Sequence, residues 1–207
     1  MAGLLEIIKR DQWFSAKAKT FLSDLIARGE ICDIDVGDEQ AEEILRETRR
    51  LALYNAKLLL RNYREYVWLS KYMQYSCTRD PIRHRKTTDE MLVAFCDEYP
   101  ADHLKSPFWT NDNDHLRVRD LFKRIKLTMK KMKKRSENGD RFYRVLYLAY
   151  LAPKIRTNDE IMQKLGIRHS YYFQLRNEAM TAFSTILWRS SPAHQVRILA
   201  EAAKRFA

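Results

Sequence analysis

Glycine and proline are scarce, five of each in 207 residues, well below ordinary usage. A chain so poor in turn formers, and without a convincing run of alternating apolar and polar residues, argues against a strand-rich fold. The one strand candidate, Ile31–Val36, is short and reads as a loop. Cysteine is equally sparse: Cys32, Cys77 and Cys96 lie far apart and form neither a CxxC nor a Cys/His cluster, so no zinc site is implied. An odd count with no secretion signal fits a reducing cytoplasm. No stretch approaches the ~20 apolar residues of a membrane span. The first residues, MAGLLEIIKRDQWF, carry charge within their apolar run and no small-residue cleavage site, so they read as neither signal peptide nor anchor. Catalytic signatures are also missing: there is no Gly-rich phosphate loop, no GxSxG and no HExxH. Asp112, Asp114 and His115 are close together, but they sit in a Pro-bounded polar loop where Asn and Asp are ordinary turn formers. His84 and His103 stand isolated between charges. The expectation is a protein that is not an enzyme and has no cofactor and no metal.

What the chain does have is apolar material and positive charge. It is 45% hydrophobic, enough for a sizeable core, and its formal net charge is +11. Such a surplus favours polyanions, nucleic acid first. Leu, Ala, Lys, Arg and Glu dominate, and the expected fold class is all-α. Residues 4–28 read as one helix, or two with a bend, followed by a linker at Gly29–Asp38. A long helix is expected from about Glu39 to Gln74, with Leu45, Ala52, Ala56, Leu59, Tyr63, Tyr66 and Met73 sharing a face. Such a helix cannot stay solvated on all sides; it packs within a bundle or along a dimer seam. Ser76–Thr88 reads as a loop, and Thr87 or Thr88 caps a short helix that Pro100 ends. The four tryptophans, Trp13, Trp68, Trp109 and Trp188, read as core or rim residues. The best boundary falls between about 100 and 115, giving an N-terminal helical bundle (1–105) for oligomerisation or partner binding and a C-terminal DNA-binding unit (106–207).

The basic charge concentrates in 117–135, RVRDLFKRIKLTMKKMKKR, which holds ten Lys or Arg and one acid. Val118, Leu121, Phe122, Ile125, Leu127, Met129 and Met132 give this stretch one apolar side. The rest is a solvated basic face or a phosphate-tracking helix; a third reading, a basic amphipathic helix on a membrane or in calmodulin, is disfavoured by the helix-turn-helix that follows. After a turn at 136–140 comes a helix over Arg141–Leu151. Then follow two helices joined at Gly166. In the first, Thr157 or Asn158 caps, and Asp159 and Glu160 sit where the helix dipole favours acids. The second carries an apolar stripe of Tyr172, Leu175, Ala179, Phe183 and Ile186. Ser190–Pro192 closes it, and a last amphipathic helix spans 193–206. Helix, glycine turn and polar-faced second helix match a helix-turn-helix, whose second helix enters the major groove. The polar face carries His169, Ser170, Tyr171, Gln174 and Asn177 in place of the Glu and Lys of a merely solvated helix.

This segment resembles the last DNA-binding domain of bacterial sigma factors, and more closely the ArpU/RinA-like phage and prophage transcriptional regulators. The resemblance runs through Glu160-Ile161, Leu165-Gly166-Ile167, Tyr171-Tyr172, Arg176 and Glu178-Ala179, with Arg141–Leu151 matching the helix before the motif. It covers about residues 138–188. The family pattern has Ser where this chain has Arg168, which puts the cap of the second helix in question. A shorter likeness covers Asn55–Tyr66.

Together these readings predict a sequence-specific double-stranded DNA-binding regulator, of the kind serving phage or prophage late genes and located on the cytoplasmic nucleoid. The recognition helix (168–188) places His169, Ser170, Tyr171, Gln174 and Asn177 at base edges, where Gln and Asn can pair bidentately with adenine. Thr157, Arg168, Arg176, Arg124, Lys130, Lys131 and Lys134 are the expected phosphate contacts, the last four from the basic helix. The N-terminal half would form a homodimer or meet RNA polymerase. The competing expectations are a small terminase-like packaging protein, against which the C-terminal position of the motif speaks, and a helical adaptor in which the motif is only a bundle corner.

Overall fold

The structure, a computed structural model, describes residues 2–31, 35–64, 67, 114–135 and 137–206. The long helix beyond residue 67, the loop at 76–88, the short helix after it, Trp68, Trp109, the side chains at 112–115 and the expected boundary near 105 lie outside these residues. Within them the fold is all-α. None of the described helices is long and apolar enough to cross a membrane.

The first helical stretch divides into α1 (Leu4–Arg10) and α2 (Ala16–Ala27). The break falls where Ser15 caps α2, its Oγ accepting from the Ala18 amide at 3.2 Å. The Ile31–Val36 loop differs slightly from expectation: Asp35–Val36 pairs antiparallel with Ala2–Gly3 as two short strands, β2 and β1. Each segment supplies the hydrogen-bond partners the other's backbone lacks. α3 (Asp38–Arg61) buries Ala41, Ile44, Thr48, Leu51, Ala52, Ala56, Leu59 and Leu60, a stripe at spacings of three and four. Ile44, and not Leu45, takes the inward position near its start.

α4 (Asp114–Arg135) is the basic helix. It buries Leu121, Phe122, Ile125, Thr128, Met129 and Met132. Leu127 corrects the expected stripe: it is 51% exposed, because it lies about 200° around the helix from Ile125, and Thr128 fills the inward place. α5 (Gly139–Leu146) runs into a π-turn at Tyr147–Leu151, where the Ala152 amide reaches back to the Tyr147 carbonyl at 2.7 Å. Arg64 closes the widened end, donating to the carbonyls of Ala152 (2.8 Å), Ala149 (2.9 Å) and Leu148 (3.3 Å).

The last three helices are α6 (Asn158–Leu165), α7 (His169–Arg189) and α8 (Pro192–Ala203). α7 packs on α3, α4 and α5, and α8 packs on α2 and α3. Helices from both sides of residue 105 therefore share one hydrophobic cluster. Trp188, fully buried, donates its indole N–H to the Ala52 carbonyl at 2.8 Å. Gln195, also buried, ties α8 to the start of α2: its Oε1 accepts from the Ser15 amide (3.1 Å) and hydroxyl (2.8 Å), and its Nε2 donates to the Trp13 carbonyl (2.8 Å). The apolar face of α3 is thus covered by α7 and α8 of the same chain.

Candidate nucleic-acid interface

The two-helix segment is built by local rules. Thr157 is the cap of α6, with its Oγ1 accepting from the Glu160 amide (3.2 Å) and the Glu160 carboxylate accepting from the Thr157 amide (2.8 Å). This reciprocal box satisfies two amides the helix leaves open. Gly166 ends α6 at φ 65°, in the left-handed region that costs a β-carbon about 1 kcal/mol or more. Arg168 holds the N-cap position of α7 in extended backbone, without a side-chain cap.

Side chains then lock the two helices together. Tyr172 is buried, and its Oη donates to Asn158 Oδ1 at 2.9 Å. Arg176 donates to the same oxygen at 3.3 Å and lies over the rings of Phe173 (4.9 Å) and Tyr172 (5.5 Å). Burial pushes the Tyr172 phenol above its ordinary pKa against the pull of Arg176, so it remains a neutral donor. From below, Ile161 of α6 and Leu175, Ala179, Met180 and Phe183 of α7 enter the core.

The first turns of α7 send Tyr172 and Leu175 into that core and turn their other face to solvent. His169, Ser170, Tyr171, Gln174 and Asn177 are all exposed. They do not form one uniform patch. Tyr171, 36% exposed, accepts a hydrogen bond from Arg141 of α5 at 3.2 Å. His169 leans on Phe173, ring centroids 4.6 Å apart. Gln174 donates to Glu178 at 2.9 Å, and that exposed carboxylate is the acidic member of the face. Asn177, eight residues from His169 and hence ~12 Å along the axis, lines a separate cleft with Arg176.

The expected phosphate groups divide. Arg168, Lys130, Lys131 and Lys134 are exposed, and none of the four has an acidic partner among the described residues. Thr157 is exposed, with its oxygen engaged in the cap. Arg176 is half-buried and fixed by Asn158 and two rings. Arg124 departs from expectation: it donates to the Ser190 carbonyl and, at 3.2 Å, to the Ser190 hydroxyl. It is a C-cap for α7, since the helix end there needs a cation and a donor. Lys133 is likewise engaged, bridging to Asp140 at 3.1 Å and holding that carboxyl below its usual pKa by a hydrogen bond.

Four cations that the sequence did not single out stand near the segment. Arg141 is marked only by its contact with Tyr171. Arg156 directly precedes the Thr157 cap, a position where a basic residue could have been noticed. Lys57 and Arg61 lie one turn apart on the exposed side of α3, and in sequence they look like any solvated face. Beyond this surface, Tyr63, Tyr143, Tyr147 and Lys130 line a groove of about 580 Å³ beside α4. Among the described residues no group of three or more His, Cys, Asp or Glu is placed to hold a metal ion.

No protein-family model, curated protein or solved structure matches this chain.

Proposed function

We propose that this chain is a sequence-specific double-stranded DNA-binding transcriptional regulator in which α6 and α7 act as a helix-turn-helix. The observation that carries the reading is that α7 is anchored along one face and open on the other at its amino end. Tyr172, Leu175, Phe183, Leu187 and Trp188 root it in the core along its length, and its first two turns present His169, Ser170, Tyr171 and Gln174 to solvent beside Arg168. A rigid helix with a free, amide- and hydroxyl-bearing amino end is what major-groove readout needs. Ser170 and Gln174 face base edges, Tyr171 is steered by Arg141, and Arg168 meets a phosphate. Lys130, Lys131 and Lys134 of α4 add sequence-independent attraction. Regulation of phage or prophage genes, a contact with RNA polymerase and assembly as a dimer belong to the same reading through the ArpU/RinA-like resemblance.

The test is selection of bound duplexes from a random pool at near-physiological salt, with the Ser170→Ala/Gln174→Ala/Asn177→Ala variant in parallel. The expected result is a defined motif with the wild type, lost or degraded in the variant while its fold persists by circular dichroism. Equal, sequence-blind binding by both proteins would remove α7 as the reader and favour a packaging role. No binding by either would leave the segment a bundle corner.

A further inference from the structure

Between α3, the π-turn, α6 and α7 lies a cleft of about 360 Å³. Four cations, Lys57, Arg61, Arg156 and Arg176, line it together with the amides of Asn158 and Asn177. The cations come from three separate stretches of the chain, so their convergence is a product of the fold. Among the described residues, Lys57 and Arg61 have no acidic partner, and no carboxylate lines the cleft. Four positive groups held together without a counter-ion repel one another; an anion relieves that repulsion, and guanidinium forks match phosphate oxygens.

We propose that this cleft seats a backbone phosphate of the duplex read by α7, so that Lys57 and Arg61 of α3 form part of the DNA-binding surface. The assignment rests on the helix-turn-helix reading above and extends it to a helix about 100 residues earlier in the chain. Its geometric reason is the position of Asn177. The major groove is ~8.5 Å deep, and Asn177 stands ~12 Å along α7 from His169. With the amino end of α7 contacting base edges, Asn177 and the cleft behind it lie farther along the helix, toward the phosphate backbone. Arg176 is already fixed there by Asn158 and the two rings, so little side-chain freedom is lost when it binds.

The experiment uses the full chain, a duplex containing the selected motif, and equilibrium binding over a series of salt concentrations. Lys57→Ala/Arg61→Ala is compared with Lys17→Ala/Lys204→Ala, a control that removes the same charge from α2 and from the residue after α8. Loss of the one phosphate that the cleft seats makes the log–log salt slope shallower by ~0.9. Across a fourfold rise in salt, the variant then forfeits about 3.5-fold less affinity than wild type. Base preference stays unchanged, because phosphate contacts carry no direct sequence information. A Lys57→Ala/Arg61→Ala slope equal to the control's overturns the assignment while the DNA reading stands. Failure of the wild type to bind any duplex overturns both. If the double variant loses thermal protection by inorganic phosphate but keeps the control's slope, the site takes free phosphate and the duplex assignment is overturned.

Discussion

His194 makes the stability of this fold depend on pH in a calculable way. It is the third residue of α8, 1% exposed, and it stacks on Trp188 with ring centroids 3.8 Å apart. Neither ring nitrogen has a hydrogen-bond partner among the described residues. Burial, and then the nearby Arg124, lower its pKa to about 3. The unfolded chain protonates this imidazole near 6.5, whereas the folded chain refuses the proton until about pH 3. Between those values the unfolded state binds more protons, so stability is complete above about 6.5 and falls as pH falls. At 1.36 kcal/mol per unit, His194 alone removes about 2 kcal/mol between pH 7.5 and 5.0. His194→Phe keeps an aromatic ring against Trp188 and has nothing to protonate. The measurement is urea unfolding of both proteins at the two pH values. Wild type is expected to lose about 2 kcal/mol more than the variant on acidification. At pH 7.5 the variant should be at least as stable, since it removes two unpaired buried nitrogens. Equal acid losses in the two proteins would refute the reasoning.

Two further substitutions test the packing. A β-carbon at Gly139 would come within 2.7 Å of the Met132 carbonyl at the end of α4, so Gly139→Ala should cost ~1–3 kcal/mol through backbone displacement, read as a lower urea midpoint; an unchanged midpoint would mean that the α4–α5 corner yields freely. Gln195→Leu should cost ~1–3 kcal/mol per stranded polar group around Ser15 and Trp13, read as a lower urea midpoint; an unchanged midpoint would show that these bonds contribute little.

The parts of the fold written in local chemistry were readable in advance. Thr157, Glu160 and Gly166 announce both ends of α6 because caps and left-handed turns depend on residues three or four apart. The apolar stripe of α7 is equally plain, since Tyr172, Leu175, Ala179 and Phe183 all enter the core. Arg124 bonds a helix end 66 residues away, a partner that a cation in a basic run does not announce. Gln195 carries no signal in the sequence either, because its partners Ser15 and Trp13 lie about 180 positions away. Lys57 and Arg61 illustrate the limit most directly: spacing places them on one side of α3, but only the tertiary fold sets that side against Arg156 and Arg176. Leu127 and Thr128 show a smaller failure, in which hydropathy favoured the wrong one of two neighbours and helical phase decided between them.

The seating of α8 against α2 and α3 has a consequence for how the protein is made. About 130 residues separate the end of α3 from the start of α8. At a synthesis rate of ~5–20 residues per second, the apolar faces of α2 and α3 wait roughly 7–26 seconds for the helix that covers them. The bond network of Gln195 to Trp13 and Ser15 spans 180 positions, so it cannot help nucleate the early helices. The core therefore closes late, and the emerging chain presents Ala52, Ala56 and Leu59 to chaperones before it can present α7 to anything else.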